Sequence, residues 1–102
     1  MKTIGSVVSG WIKPASRVLD LGCGDGALLE HLSKSHNIRG YGLEINHQSI
    51  NACIARGVNV IDQDLNNGLD NFADQSFDTV LMTQTLQTLR YPHIALDEML
   101  RI

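Results

Sequence analysis

Nowhere in this 102-residue sequence does positive charge gather. Eight Lys and Arg against eleven Asp and Glu give a formal charge of −3, and the basic residues are scattered. Phosphate backbones and anionic membrane surfaces demand concentrated cations, so neither nucleic acid nor a membrane is the expected partner. No apolar run nears the roughly 20 residues of a membrane span. Ser and Gly interrupt the apolar residues of positions 1–11, which argues against a signal peptide. Cysteine is scarce as well. Cys23 and Cys53 lack the spacing of a zinc set or a redox motif, so two reduced thiols in a cytoplasmic protein are expected. His31, His36, His47 and His93 likewise show no metal-ligand spacing, and no metal is expected. Internal repeats and low-complexity linkers are absent. What remains is a composition, 43% hydrophobic and 19% charged, that suits one small domain with one core.

Hydrophobic periodicity orders that domain. Ile4, Val7, Val8, Trp11 and Ile12 share one face of an amphipathic helix, closed by Pro14. Residues 17–21 read as a first strand, followed by a glycine loop and a helix over 27–35 with Leu28, Leu29 and Leu32 inward. Residues 38–45 form a second strand. Asn46 caps the next helix, Gly57 stops it, and Ile50, Cys53 and Ile54 form its buried face. A third strand covers 58–62. A polar stretch with a short helical turn, 66–76, leads to a fourth strand over 77–82 and then a Thr/Gln loop, 83–88. Pro92 opens a last helix with an apolar stripe of Ala95, Leu96, Met99 and Leu100. Trp11 and Tyr41 are assigned to core or pocket wall.

Strands alternating with crossovers predict an α/β fold: a doubly wound, Rossmann-like parallel sheet of about four strands with helices on both faces. The fourth strand, apolar along its length, wants neighbours on both sides. The expectation is therefore the N-terminal half of a larger sheet, completed by further chain or by a second copy at the uncovered edge.

The loop carries the functional information. In "VLDLGCGDG", Gly22, Gly24 and Gly26 permit close approach of main chain to a ligand at a strand-to-helix junction, with Cys23 as a small loop residue. The dinucleotide fingerprint is G-x-G-x-x-G, whereas the spacing here is one residue shorter. Asp20 and Asp25 would also repel a pyrophosphate, at about 1 kcal/mol or more for each close pair. A ligand bearing a sulfonium and an ammonium reverses that sign, and S-adenosylmethionine is such a ligand. Glu44, ending the second strand beside Ile45, is placed to accept from a ribose diol. Asp64 and Leu65, after the third strand, are placed for adenine, with Asp62 as the competing acceptor. A nicotinamide site is the rival reading of the loop, and a purely structural role, capping or tying the loop, is the rival reading of Asp20.

These segments resemble the successive motifs of class I S-adenosylmethionine-dependent methyltransferases from Arg17 onward. "ACIARGVNVIDQDLNNGL", "SFDTVLMTQTLQ" and "EMLRI" resemble more narrowly the MetW family of methionine biosynthesis proteins. That resemblance implies a methyltransferase-like domain, S-adenosylmethionine or S-adenosylhomocysteine as ligand, the homoserine O-acyltransferase MetX as partner, and a chain nearly twice as long. It carries over to Asp20, Gly22, Gly24, Gly26, Glu44, Asp64 and Leu65. It supplies no catalyst. After the fourth strand the chain reads "TQTLQ", and Gln84 and Gln87 can orient a substrate by hydrogen bonds but cannot take its proton. A binding protein of methionine metabolism is the leading expectation, with a true small-molecule methyltransferase as the alternative.

Overall fold

A computed structural model describes residues 11–82 and 89–102. Most of the expected first helix and the whole Thr/Gln loop, Gln84 and Gln87 included, lie outside the described residues. The chain runs through β1 (Arg17–Leu21), α1 (Ala27–His36), β2 (Arg39–Glu44), α2 (His47–Arg56), β3 (Asn59–Asp62), a 3-10 turn (Leu65–Asn67), β4 (Thr79–Leu81) and α3 (Pro92–Arg101). The four strands form one parallel sheet in the order β3-β2-β1-β4. Order reverses at β1, which is where open α/β sheets leave a crevice at their carboxyl ends.

β1 is the central strand, and its sequence is apolar on both faces because both are covered. Val18, Leu19 and Leu21 are fully buried. Val18 joins Leu29, Leu32, Ile38 and Cys53 under α1 and α2. Leu19 and Leu21 join Leu43, Leu69 and Ile102 on the opposite face, with Met99 of α3 packed against them. Helices on both faces are the doubly wound arrangement that the pattern of elements predicted.

The helix ends follow local chemistry. Asn46 Oδ1 accepts the Ser49 N–H at 3.0 Å, and Gly57 closes α2 with a left-handed φ of 76°. Pro92 occupies the first turn of α3. Arg101 at the far end of α3 donates to the carbonyls of Leu69 and Phe72 and pairs with Asp74 and Glu98. One guanidinium thus holds the irregular segment before β4 against α3.

Several expectations need correction. The fourth strand is three residues long rather than six: ahead of it the Phe77 N–H bonds the Ile102 carbonyl and the Asp78 N–H bonds that of Arg17. β2 is one residue shorter than expected at each end, and β3 one residue shorter at its start. Ile54 is exposed, because α2 turns Cys53 rather than Ile54 onto the sheet. On α3 only Ala95 is buried and Met99 half-buried. Leu96 and Leu100 face outward beside Val80 at the β4 edge, where the described sheet ends. Trp11 is 74% exposed in a turn ahead of β1, whereas Tyr41 does pack into the core, edge-on to Phe77. No described helix is long and apolar enough to cross a membrane.

Candidate functional site

The carboxyl ends of β1, β2 and β3 meet at a cleft. As β1 ends, the N–H groups of Gly22 and Cys23 both donate to the Leu43 carbonyl, at 2.8 and 3.0 Å. This fork releases the chain from the ladder and starts the loop. Gly22, Gly24 and Gly26 then take φ of 76°, 59° and 81°. Alternate left-handed residues curl the backbone tightly, and side-chain-bearing residues adopt that conformation only at a cost. This is the physical reason for the alternating glycines.

Close packing behind the loop demands a further small residue. A Cβ on Gly42 of β2 would fall within 3 Å of the Cys23 sulfur and Cβ. Cys23 is buried there, its Sγ 3.7 Å from that of Cys53. Cys53 in turn donates to the Gly24 carbonyl at 3.2 Å. Burial pushes both thiols up from their ordinary range, so both stay protonated and neutral. Cys23 therefore supports the loop from behind, as a small residue of the packing.

The two aspartates, Asp20 on β1 and Asp25 in the loop, differ in kind. Asp25 is exposed and already engaged: Oδ1 accepts the Ala27 N–H at the start of α1, and Oδ2 lies 3.5 Å from Arg56. Arg56 also reaches Glu30 at 3.1 Å, so one cation joins α2 to the loop and to α1. Asp25 thus already has two partners within the protein, a backbone N–H and Arg56. Asp20 is the opposite. It is 2% exposed, and its Oδ1 has no hydrogen-bond partner. Burial, with the nearby Glu44 carboxylate, pushes its carboxyl up to about 7. Asp25, not Asp20, accepts a backbone N–H at the start of α1, whose N-cap is Gly26.

Glu44 stands at the end of β2. Its Oε1 accepts the Gly24 N–H at 2.8 Å, and its Oε2 accepts from Ile45 and Asn46, both at 3.0 Å. Three backbone donors fix the carboxylate at the mouth of the loop. Across from it, Asp64 Oδ1 accepts the Asn66 N–H and so sets the 3-10 turn that presents Leu65. Gly22, Glu44, Ile45, Asp64 and Leu65 line one cleft, together with Leu43, Gln63, Asn66 and Leu89. Asp62, the competing acceptor, lies outside that lining and pairs on the surface with His47 at 3.4 Å. Among the described residues no group of His, Cys, Asp and Glu is arranged to hold a metal ion.

The sequence reading thus names five of the residues that line the cleft. It missed the clamp from Glu44 to Gly24, the Arg56 bridge and the Cys23–Gly42 contact. Gly42 did leave a signal, since a glycine inside a strand marks close approach of another group. Arg56 left none, because a cation at a helix end is equally suited to the helix dipole.

The comparisons agree with this architecture. The model of the family described as methionine biosynthesis protein MetW matches residues 5–102. A bifunctional methionine biosynthesis protein MetXA/MetW of Rhodopirellula baltica is 40% identical over 99 residues, covering 89% of this chain and 16% of its own length. A SAM-dependent methyltransferase of Aquifex aeolicus superposes with a TM-score of 0.74 at 26% identity, over 93% of this chain and 55% of that one. The [4+2]-cyclase SpnF superposes at 0.83 with 23% identity, over 96% of this chain and 39% of its own, a likeness of fold alone. The chain spans a small part of the bifunctional relative and about half or less of these two structures. From the family match and the 40% identity, the chain belongs to the MetW family and carries a methyltransferase fold.

Proposed function

We propose that this chain binds S-adenosylmethionine or S-adenosylhomocysteine in the cleft and acts in methionine biosynthesis together with a homoserine O-acyltransferase of the MetX type. One observation carries the ligand: successive strand ends bring the glycine loop, the Glu44 carboxylate and the Asp64–Leu65 turn onto one cleft. Glu44 suits a ribose diol, Asp64 an amino group, and Ile45 and Leu65 the faces of a purine. Asp20 lies buried at the end of β1, with one carboxyl oxygen unpartnered, just before the Gly22 that lines the cleft. A bound S-adenosylmethionine would bring an activated methyl group, and the chain's own residues would hold it and keep its charged end from bulk water. The partner is supported by the Rhodopirellula baltica relative, whose name joins MetXA to MetW in one polypeptide.

Calorimetric titration of the full-length protein with each ligand tests the pocket. A one-to-one heat and a thermal upshift are expected. No heat and no shift at millimolar ligand overturns the reading. Sedimentation with the acyltransferase, with and without ligand, tests the partner. Two separate boundaries at every concentration would remove it.

A second reading, methyl transfer to a small molecule, is favoured by the Aquifex aeolicus neighbour, which is named as a SAM-dependent methyltransferase. Fold alone does not choose between them, since SpnF shares the architecture and is named for a cyclisation. Label transferred from methyl-labelled cofactor to a metabolite extract would establish the second reading.

A further inference from the structure

α3 is held differently at its two ends. At its far end Arg101 donates to the carbonyls of Leu69 and Phe72. At its start the N-cap is Tyr91, which makes no side-chain capping bond, and Pro92 carries no N–H. The tie on this side comes from the turn at the end of β3. Asn66 Oδ1 accepts the Arg90 N–H at 3.1 Å, joining residues twenty-four apart in the chain. Asn66 is itself fixed, since its own N–H donates to Asp64 Oδ1 at 2.9 Å. One asparagine thus connects the turn after β3 to the backbone just ahead of α3.

That tie bears on Leu89. Leu89 lines the cleft together with Leu65 and Asn66. The same three residues also line a second pocket, of about 50 Å³, with Leu69, Ile94 and Ala95. They form a partition between two hollows. A side chain in a packed core is fixed by the atoms around it, whereas Leu89 borders a hollow on either side and depends on its backbone for its place. The Asn66–Arg90 bond holds that backbone one residue away.

We propose that Asn66 is a positioning residue of the cleft: it acts through Leu89, setting this apolar wall against the face of a bound purine. This rests on the S-adenosyl reading of the cleft. The distance matters because dispersion attraction is short-ranged. A gap of about 0.5–1 Å between the wall and a flat ring forfeits about a quarter to a half of it.

The test combines titration calorimetry with S-adenosylhomocysteine and amide exchange at Arg90, both on the full-length protein. Asn66→Ala is expected to weaken binding about three- to tenfold, the usual worth of one neutral hydrogen bond, and to speed exchange at Arg90. Asn66→Asp keeps an acceptor oxygen in place and should restore both. Leu89→Ala should weaken binding at least as much, and the double variant no more than Leu89→Ala alone, because both changes disable the same wall. In the wild type, ligand should slow exchange at Arg90 further. Wild-type affinity in Asn66→Ala, or losses that add in the double variant, overturns the inference and leaves the pocket reading intact. No heat from the wild type overturns the pocket reading instead, and ligand-free exchange at Arg90 unchanged by Asn66→Ala then overturns the tie as well. If Asn66→Ala fails to fold, the wild-type exchange decides: an Arg90 amide that ligand leaves unaltered sinks the proposal.

Discussion

The Glu44 carboxylate accepts the Gly24 N–H at 2.8 Å, which ties the end of β2 to the middle of the glycine loop. Its second oxygen holds Ile45 and Asn46, so one side chain sets both the loop and the approach to α2. Charge-assisted bonds of this kind contribute about 1.5–3 kcal/mol each. In Glu44→Gln, one acceptor becomes a donor and faces an N–H. The expected result is faster amide exchange at Gly24 or at Ile45 and Asn46, with at least a tenfold loss of ligand affinity. Exchange rates unchanged at all three amides would show that the loop holds its shape without the clamp.

Gly42 has no room for a methyl group, since its Cβ would meet Cys23 Sγ and Cβ within 3 Å. Gly42→Ala should therefore displace the glycine loop and cost about 1–3 kcal/mol by overpacking. Urea denaturation measures the cost. Cys23→Ala in the same chain removes the sulfur and should recover part of it, whereas purely additive losses would mean that the two sites do not touch.

How much of this was legible in the sequence depends on the range of the interaction. The order of elements, the α2 cap at Asn46, the Gly57 stop and the central strand "RVLDL" are set by neighbours in the chain, and the sequence alone places them. Glu44 and Asp64 could be located because strand ends in a parallel sheet converge whatever their side chains do. Leu96 and Leu100 could not be read correctly: an apolar stripe tells which face is hydrophobic, not whether anything covers it. The difference between Asp20 and Asp25 was equally hidden. Asp20 ends up on β1 and Asp25 in the loop that follows, and only the position of Arg56, thirty-one residues beyond Asp25, gives Asp25 a charged partner while Asp20 keeps an unpartnered oxygen.

Cys23 and Cys53 lie 3.7 Å apart, buried, with both thiols pushed up by desolvation. Thiolate is the reactive form, so neither should react readily in the folded protein at pH 8. Labelling by an aromatic disulfide reagent is expected to be slow and to follow the opening of the fold, accelerating together with loss of the circular dichroism signal in urea. Rapid labelling of either thiol in native buffer would show that the region behind the glycine loop opens on its own.

The ligand-free protein should lose stability to Asp20 as pH rises. Its carboxyl is raised in the folded state from an ordinary value of 3.8 to about 7. Between those values the folded form binds more protons than the unfolded form, so the slope of unfolding free energy against pH is negative. The stabilising contribution is complete below about 4, declines through the window, and is lost above about 7. Each pH unit inside the window corresponds to about 1.4 kcal/mol, which makes the whole effect a few kcal/mol. Other groups titrate in the same range, so the measurement is the difference between wild type and Asp20→Asn in urea midpoints from pH 4 to 8.5. Asp20→Asn should be the more stable protein at pH 8, with the gap closing toward pH 4. A constant gap across that range would mean that Asp20 is ionised throughout and is held by a contact that replaces the missing partner.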